Sequence, residues 1–244
     1  MEEKSYKNTV IFDLDGTLVD TNALYVEAKT SVARIIQQHN PDMPLEKIID
    51  VFDTIDKEAV NTRGFTKNIF RDSAIETYRH LVKDTAAAEE KTVGEIADGV
   101  SKNAPKTYKN VTSTLGWLQR KGCTLVLYTE GEREAQQSKL EKTGLGAYFS
   151  TVRVVPKKNE AALKELLQEF RKYGESDRVY YVGDSVLKDI APARACGLTA
   201  ILIKNGVDTW VDRFDKETTQ APDYTVNNLE SVIPIITKEN ARKD

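Results

Sequence analysis

Residues 9–18 read TVIFDLDGTL: Thr9, Val10, Ile11 and Phe12 run directly into Asp13, a second acid stands at Asp15, and Gly16 breaks the segment. A short apolar run ended by a turn residue is the pattern of a strand buried on both faces, and such strands belong to parallel sheets. Four more runs of the same kind follow: CTLVLY (123–128), VRVV (152–155), RVYYV (178–182) and TAILI (199–203). Helical patterns lie between them, with Leu115 and Leu118 before Gly122, Lys139 and Leu140, Ala161 to Phe170, and Asp189 to Cys196 ahead of Gly197. Strands alternating with helices pair in parallel through right-handed crossovers. The expected fold is therefore a doubly wound α/β sheet.

From about Thr21 to Asn103 the alternation stops, and helical periodicity alone remains. Leu24, Ala28, Val32, Ile35 and Ile36 share one face. Leu45, Ile48, Ile49, Phe52 and Ile55 share a second, Phe70, Ala74, Thr77, Tyr78 and Leu81 a third, and Val93, Ile96, Ala97 and Val100 a fourth. Four amphipathic helices make a small bundle inserted after the first strand. The expected organisation is a core domain from residues 1–20 and 105–244 and a helical domain from 21–104. Two connections, Gly16 to Thr21 and Ala104 to Asn110, are read as hinges that open and close the insert over the sheet.

Composition excludes several partners. Of 244 residues, 35 are Lys or Arg and 38 Asp or Glu, a net charge of −3 that offers phosphate backbones no bulk attraction. Nucleic acid is not an expected partner. No stretch reaches the roughly 18 apolar residues of a membrane span, and MEEKSYK at the start has no apolar signal core, so a cytoplasmic protein with no membrane association is expected. Cys123 and Cys196 read as reduced thiols, and Trp117 and Trp210 as packing residues. Oligomeric state is not legible.

In an open parallel sheet, ligands bind beyond the carboxyl ends of the strands. The residues at those ends are Asp13, Asp15 and Gly16; Thr129, Glu130 and Gly131; Lys157 and Lys158; and Asp184, Ser185 and Asp189. Four aspartates crowded into one cleft take up protons or bind a cation. With only oxygen ligands on offer, that cation is a hard one, best Mg²⁺.

FDLDGTL, the Thr129-Glu130-Gly131 turn after a strand, a following lysine, and GDSVLKD together resemble the four motifs of the haloacid dehalogenase superfamily, in order and spacing from Ile11 to Asp189. The resemblance implies a Rossmann-like core of strand order 5-4-1-2-3 with a helical C1 cap after the first motif. It implies Asp13 as a nucleophile forming an aspartyl-phosphate, a carboxylate needing no deprotonation for the task. It implies Asp15 as the acid that protonates the leaving alcohol and then the base that activates water. Thr129, with the backbone N–H of Glu130, would bind the phosphoryl group. Glu130 departs from the usual Asn, and its side chain is expected to turn away, to meet a substrate hydroxyl, or to lie in solvent. Lys158 is preferred to Lys157 as the fixed cation, from a V-P-x-K pattern in relatives. Asp184 would ligate Mg²⁺ with Asp13 and the carbonyl of Asp15, and Asp189 would support it from behind.

Asn61 to Phe65 interrupts the periodicity of the insert and is read as a loop, with Arg63 a candidate for holding a substrate anion or an ordinary solvated arginine. The function implied is Mg²⁺-dependent hydrolysis of a small phosphate ester. A phosphomutase on the same core, or a non-catalytic binding protein on the same fold, are the alternatives. Asp15 disfavours a halide-releasing enzyme, which has no alkoxide to protonate.

Overall fold

The computed structural model describes residues 7–64, 66, 68–171, 178–205 and 220–240; Trp210 and residues 241–244 lie outside them. The chain divides into two units, Met1–Asp20 with Lys106–Asp244, and Thr21–Pro105.

Among the described residues the first unit is built on a six-stranded sheet. Its strands are β1 (Thr9–Phe12), β4 (Thr124–Glu130), β5 (Thr151–Val155), β6 (Val179–Gly183), β7 (Thr199–Ile203) and β8 (Tyr224–Val226), in the order β5-β4-β1-β6-β7-β8. All of its pairings are parallel. The five strands read from sequence fall in the order the resemblance implies, and β8, only three residues long, extends the β7 edge.

Alternation along the strands sends side chains to two buried faces. Val10, Phe12, Leu125, Leu127, Tyr180 and Val182 pack on one side with Leu115 and Leu118 of α5 (Val111–Arg120) and with Val232 and Ile236 of α9 (Val232–Asn240). Ile11, Val126, Tyr128 and Tyr181 pack on the other with Leu163 and Leu166 of α7 (Glu160–Arg171) and Ala193 of α8 (Ala191–Ala195). With both faces covered, only the strand ends are left to carry chemistry.

Register decides which ends meet. Phe12 lies opposite both Leu127 and Val182, so the chain leaves β1, β4 and β6 at one rim, at Asp13, Glu130 and Gly183. Both stretches read as hinges contribute to a short antiparallel ladder of the first unit. Here β2 (Val19–Asp20) pairs with β3 (Lys106–Thr107), and the Tyr108 hydroxyl donates to Asp20 at 3.3 Å.

The second unit contains α1 (Thr21–His39), α2 (Leu45–Arg63), α3 (Ile69–Leu81) and α4 (Ala87–Lys102) around its own apolar cluster. Phe52 and Phe70 stack at 5.3 Å inside it, and Tyr25 meets Phe70 edge-on at 4.8 Å. Buried Lys29 pairs there with Asp53 at 2.5 Å.

Both cysteines are free, and burial pushes the Cys123 thiol up to about 11, leaving it unreactive near neutral pH. Trp117 packs half-buried on the sheet's apolar cluster. Among the described residues no helix is long and apolar enough to cross a membrane.

Candidate active site

Asp13 follows β1 directly and is buried. One of its oxygens takes a hydrogen bond from the ammonium of Lys158, and the other faces the Thr17 hydroxyl at 3.4 Å. Lys158 itself is buried, and its Nζ also meets Asp189 at 2.6 Å. The rings of Tyr128 and Tyr181 flank it, with centroids 5.9 and 6.0 Å from Nζ. Lys157, one residue earlier, is exposed. Of the two adjacent lysines only Lys158 faces the aspartates.

Asp189 is placed by an irregularity. Residues 186–190 form a π turn after β6, opened by Ser185, whose side chain accepts the backbone N–H of Lys188 at 3.1 Å. The turn returns Asp189 to the strand end, where it accepts from Ser185 N–H and the Tyr181 hydroxyl, both at 3.0 Å. Gly183 makes room for it, since a Cβ there would lie 2.4 Å from the Asp189 carboxylate. With these donors on its oxygens, Asp189 is built to hold Lys158.

Oxygens of Asp13, Asp184 and Asp189 lie within 4.8 Å of one another. Burial, reinforced by Asp189 and Asp15 against the opposing pull of Lys158, pushes the Asp13 carboxyl up to about 7. Burial, then the neighbouring carboxylates of Asp13 and Asp189, hold Asp184 well above the usual carboxylate range. Burial opposes the Lys158 charge, but Asp13 and Asp189 outweigh it and keep the ammonium far above its ordinary value. Among the described residues the ammonium of Lys158 is shared by Asp13 and Asp189, with Asp184 beside them, so the set is short of positive charge. Gly16 belongs to the same design. Its φ is +77°, and a Cβ there would lie 2.0 Å from an Asp184 oxygen, so this backbone position accepts no side chain. An all-oxygen set with excess negative charge and a backbone cradle fits a hard divalent cation.

Asp15 stands apart from that cluster. Its carboxylate is held by Lys139 at 2.7 and 2.8 Å and by the Gln136 amide at 2.8 Å, both from α6 (Arg133–Thr143). The same amide nitrogen lies 3.1 Å from Thr129 Oγ1 and 2.6 Å from the carbonyl of Glu130. Thr129, buried at the end of β4, is thus joined to Asp15 through one side chain.

Glu130 is neither free in solvent nor pointed outward. It accepts the backbone N–H of Lys158 at 2.8 Å and pairs with Lys188 at 2.9 Å, so it clamps the loop that carries the buried ammonium. Arg63 lies in the helical unit and corrects part of the expected loop at 61–65: α2 continues through Arg63 and is capped at Gly64, Phe65 lies outside the described residues, and Arg63 pairs with Asp72 at 3.3 Å on an exposed surface.

Gln136, Lys139 and Asn205 escaped the sequence reading. Asn205 donates to the carbonyls of Gly16 at 2.9 Å and Thr17 at 3.0 Å and so fixes the loop after β1. The first two carried one legible sign, their three-residue spacing on a helix that starts just past the Thr129 turn.

A family model described as haloacid dehalogenase-like hydrolase matches residues 7–197. The chain is 25% identical over 241 residues to glyceraldehyde 3-phosphate phosphatase of Methanocaldococcus jannaschii, covering 96% of this chain and 98% of that protein. It is 25% identical over 243 residues to pyrophosphatase PpaX of Oceanobacillus iheyensis, covering 93% and 96%. Among solved structures, a haloacid dehalogenase-like hydrolase from Xanthomonas campestris superposes with a TM-score of 0.73 at 18% identity, over 100% of this chain and 97% of that one.

Proposed function

The chain belongs to the haloacid dehalogenase-like hydrolase family, and from that premise we propose that it is a Mg²⁺-dependent phosphomonoesterase acting on a small phosphorylated metabolite through a phosphorylated Asp13. It is a phosphatase by family and by its curated relatives. The observation that carries the finer reading is a buried carboxylate, Asp13, held against a buried ammonium, Lys158, at the rim where the strands end.

Asp13 attacks phosphorus with a carboxylate oxygen, forming an O–P bond as the bond from phosphorus to the leaving oxygen breaks. The departing oxygen keeps the electron pair and takes a proton from Asp15, which becomes a carboxylate. A water molecule then gives a proton to Asp15 and attacks the phosphorus of the aspartyl-phosphate. Inorganic phosphate leaves, and Asp13 returns to its starting form. Lys158 stays ionised throughout and neutralises charge on Asp13 and on the phosphoryl oxygens; being fixed by Asp189, it needs no reorganisation as the charge develops. The Thr129 hydroxyl donates to a phosphoryl oxygen. Mg²⁺, held by Asp13, Asp184 and the carbonyl of Asp15, would supply Lewis-acid stabilisation of the phosphoryl oxygens and screen them from the carboxylates.

The curated relatives are named for a triose phosphate and for pyrophosphate, so small, compact phosphate compounds head the substrate panel. Phosphate release from that panel, measured with and without Mg²⁺, tests the proposal. Mg²⁺-dependent turnover of at least one member is expected, and activity on none of them would count against it.

Two substitutions separate the ligand set. Asp184→Ala is expected to raise the Mg²⁺ concentration for half-activation by about 10–100-fold, the scale on which metal sites respond to loss of supporting groups. Gly16→Ala is expected to act in the same direction, because its Cβ displaces the Asp184 carboxylate. A metal titration unchanged in both variants would remove Asp184 from the set.

A further inference from the structure

Helix α6 is poor in apolar contacts. Its buried residues are Leu140 and the amide Gln136, and Lys139, three positions past Gln136, lies on the same side with 19% of its side chain exposed. The polar side so formed faces Asp15 and the end of β4. Lys139 reaches both oxygens of Asp15, and Gln136 reaches one of them and Thr129 as well. Gly131 preserves the arrangement, since at its φ of +141° a Cβ would lie 3.1 Å from the Gln136 amide nitrogen.

We propose that Lys139 is a positioning residue for Asp15, and that α6, through Lys139 and Gln136, sets the orientation from which Asp15 serves the leaving oxygen. This rests on the reading of Asp15 as the acid. Asp15 sits in the loop after β1, and its side chain turns about two torsions. Contacts to both oxygens fix the two together. The requirement is a strict one, because a proton donor acts only within hydrogen-bond reach, and a misplacement of about 1 Å costs on the order of 100-fold. Gln136 ties the same carboxylate to the hydroxyl that binds the phosphoryl group, so the two move as one assembly.

The test is a series of aryl phosphates from p-nitrophenyl to phenyl phosphate, read as kcat/KM at saturating Mg²⁺. This parameter stops at formation of the aspartyl-phosphate and so isolates protonation of the leaving group. Lys139→Met is expected to lose about 3-fold on p-nitrophenyl phosphate and about 30-fold on phenyl phosphate, within the roughly 10²–10⁴-fold that acid catalysis supplies. Lys139→Arg, which also grips a carboxylate at two points, is expected to restore the leaving-group dependence of the native chain. A loss uniform across the series, no loss, or a Lys139→Arg no better than Lys139→Met would overturn the proposal. Asp15→Asn separates it from the reading beneath. A loss that grows with leaving-group basicity in Asp15→Asn but not in Lys139→Met sinks only the role of Lys139. An Asp15→Asn with the native dependence, or a native chain that hydrolyses no member of the series, sinks the acid assignment and the proposal with it.

Discussion

Asp13→Asn is expected to lower phosphate release by at least about 10⁴-fold, the scale on which removing a covalent nucleophile acts, while the chain stays folded. The substitution keeps the shape of the side chain and one oxygen acceptor, so nothing repacks. What disappears is the anionic oxygen that would form the bond to phosphorus. Stability is expected to move the other way. Asp13, Asp184 and Asp189 crowd within 4.8 Å, and the one ammonium among them, Lys158, keeps Asp189 as its partner at 2.6 Å when Asp13 becomes neutral. Removing one ionisable carboxyl from a buried cluster whose members push one another above the usual carboxylate range relieves that strain, so in the absence of divalent metal Tm is expected to be unchanged or about 2–4 °C higher, equivalent to about 1 kcal/mol in a chain of this size. Parallel assays of phosphate release and thermal unfolding check both halves. Activity within tenfold of the native chain would count against Asp13 as nucleophile, and a clear fall in Tm would show that its charge is structural.

Lys158→Met is expected to give the largest loss of stability, about 3–5 kcal/mol, because it leaves buried carboxylates without their counter-charge. The stem is replaced by one of similar length, so packing against Tyr128 and Tyr181 is retained and the effect reports the charge. Turnover falls with it, since the cation facing Asp13 is gone. Lys157→Met, one residue away and exposed, is expected to stay within about 0.5 kcal/mol of the native chain. Denaturant unfolding of the two variants makes the comparison internal. Equal effects at the two positions would mean that the ammonium at 158 is not what holds the aspartates together.

The sheet and the helical insert were legible for different reasons. Ile11, Val126 and Tyr181 are strand residues of a sheet covered on both faces, and double burial leaves a continuous apolar run that no loop imitates. Ile48, Phe52 and Tyr78 recur at helical spacing because their helices bury one stripe each. The short β8 left no such trace, since Tyr224–Val226 is too brief for a period to establish itself. At the rim, Asp13, Lys158 and Asp184 stood at strand ends, where the topology alone directs attention.

Lys139, Gln136 and Asn205 were hidden because their roles exist only in three dimensions. Each reaches the loop after β1 from more than 100 residues away in sequence, and each is of a type common on solvated surfaces. Glu130 was legible only in part: exposure to solvent fails as a reading, and the donors it turns to were hidden. Next to a phosphate-binding turn a carboxylate suggests repulsion or exposure, whereas the backbone N–H of Lys158 and the ammonium of Lys188 supply the donors it needs. Arg63 followed an apparent break at Asn61 and Thr62, yet the Thr62 hydroxyl bonds back to the Glu58 carbonyl at 2.8 Å and the helix runs on.

The most direct test of the account is chemical trapping at Asp13. An acyl phosphate is reduced by borohydride, so quenching the enzyme during turnover with borohydride converts a phosphorylated aspartate to homoserine, which peptide mass spectrometry locates. Homoserine is expected at position 13, dependent on substrate and absent from Asp13→Asn. Homoserine at any other aspartate, or none at position 13 while phosphate is being released, would contradict it.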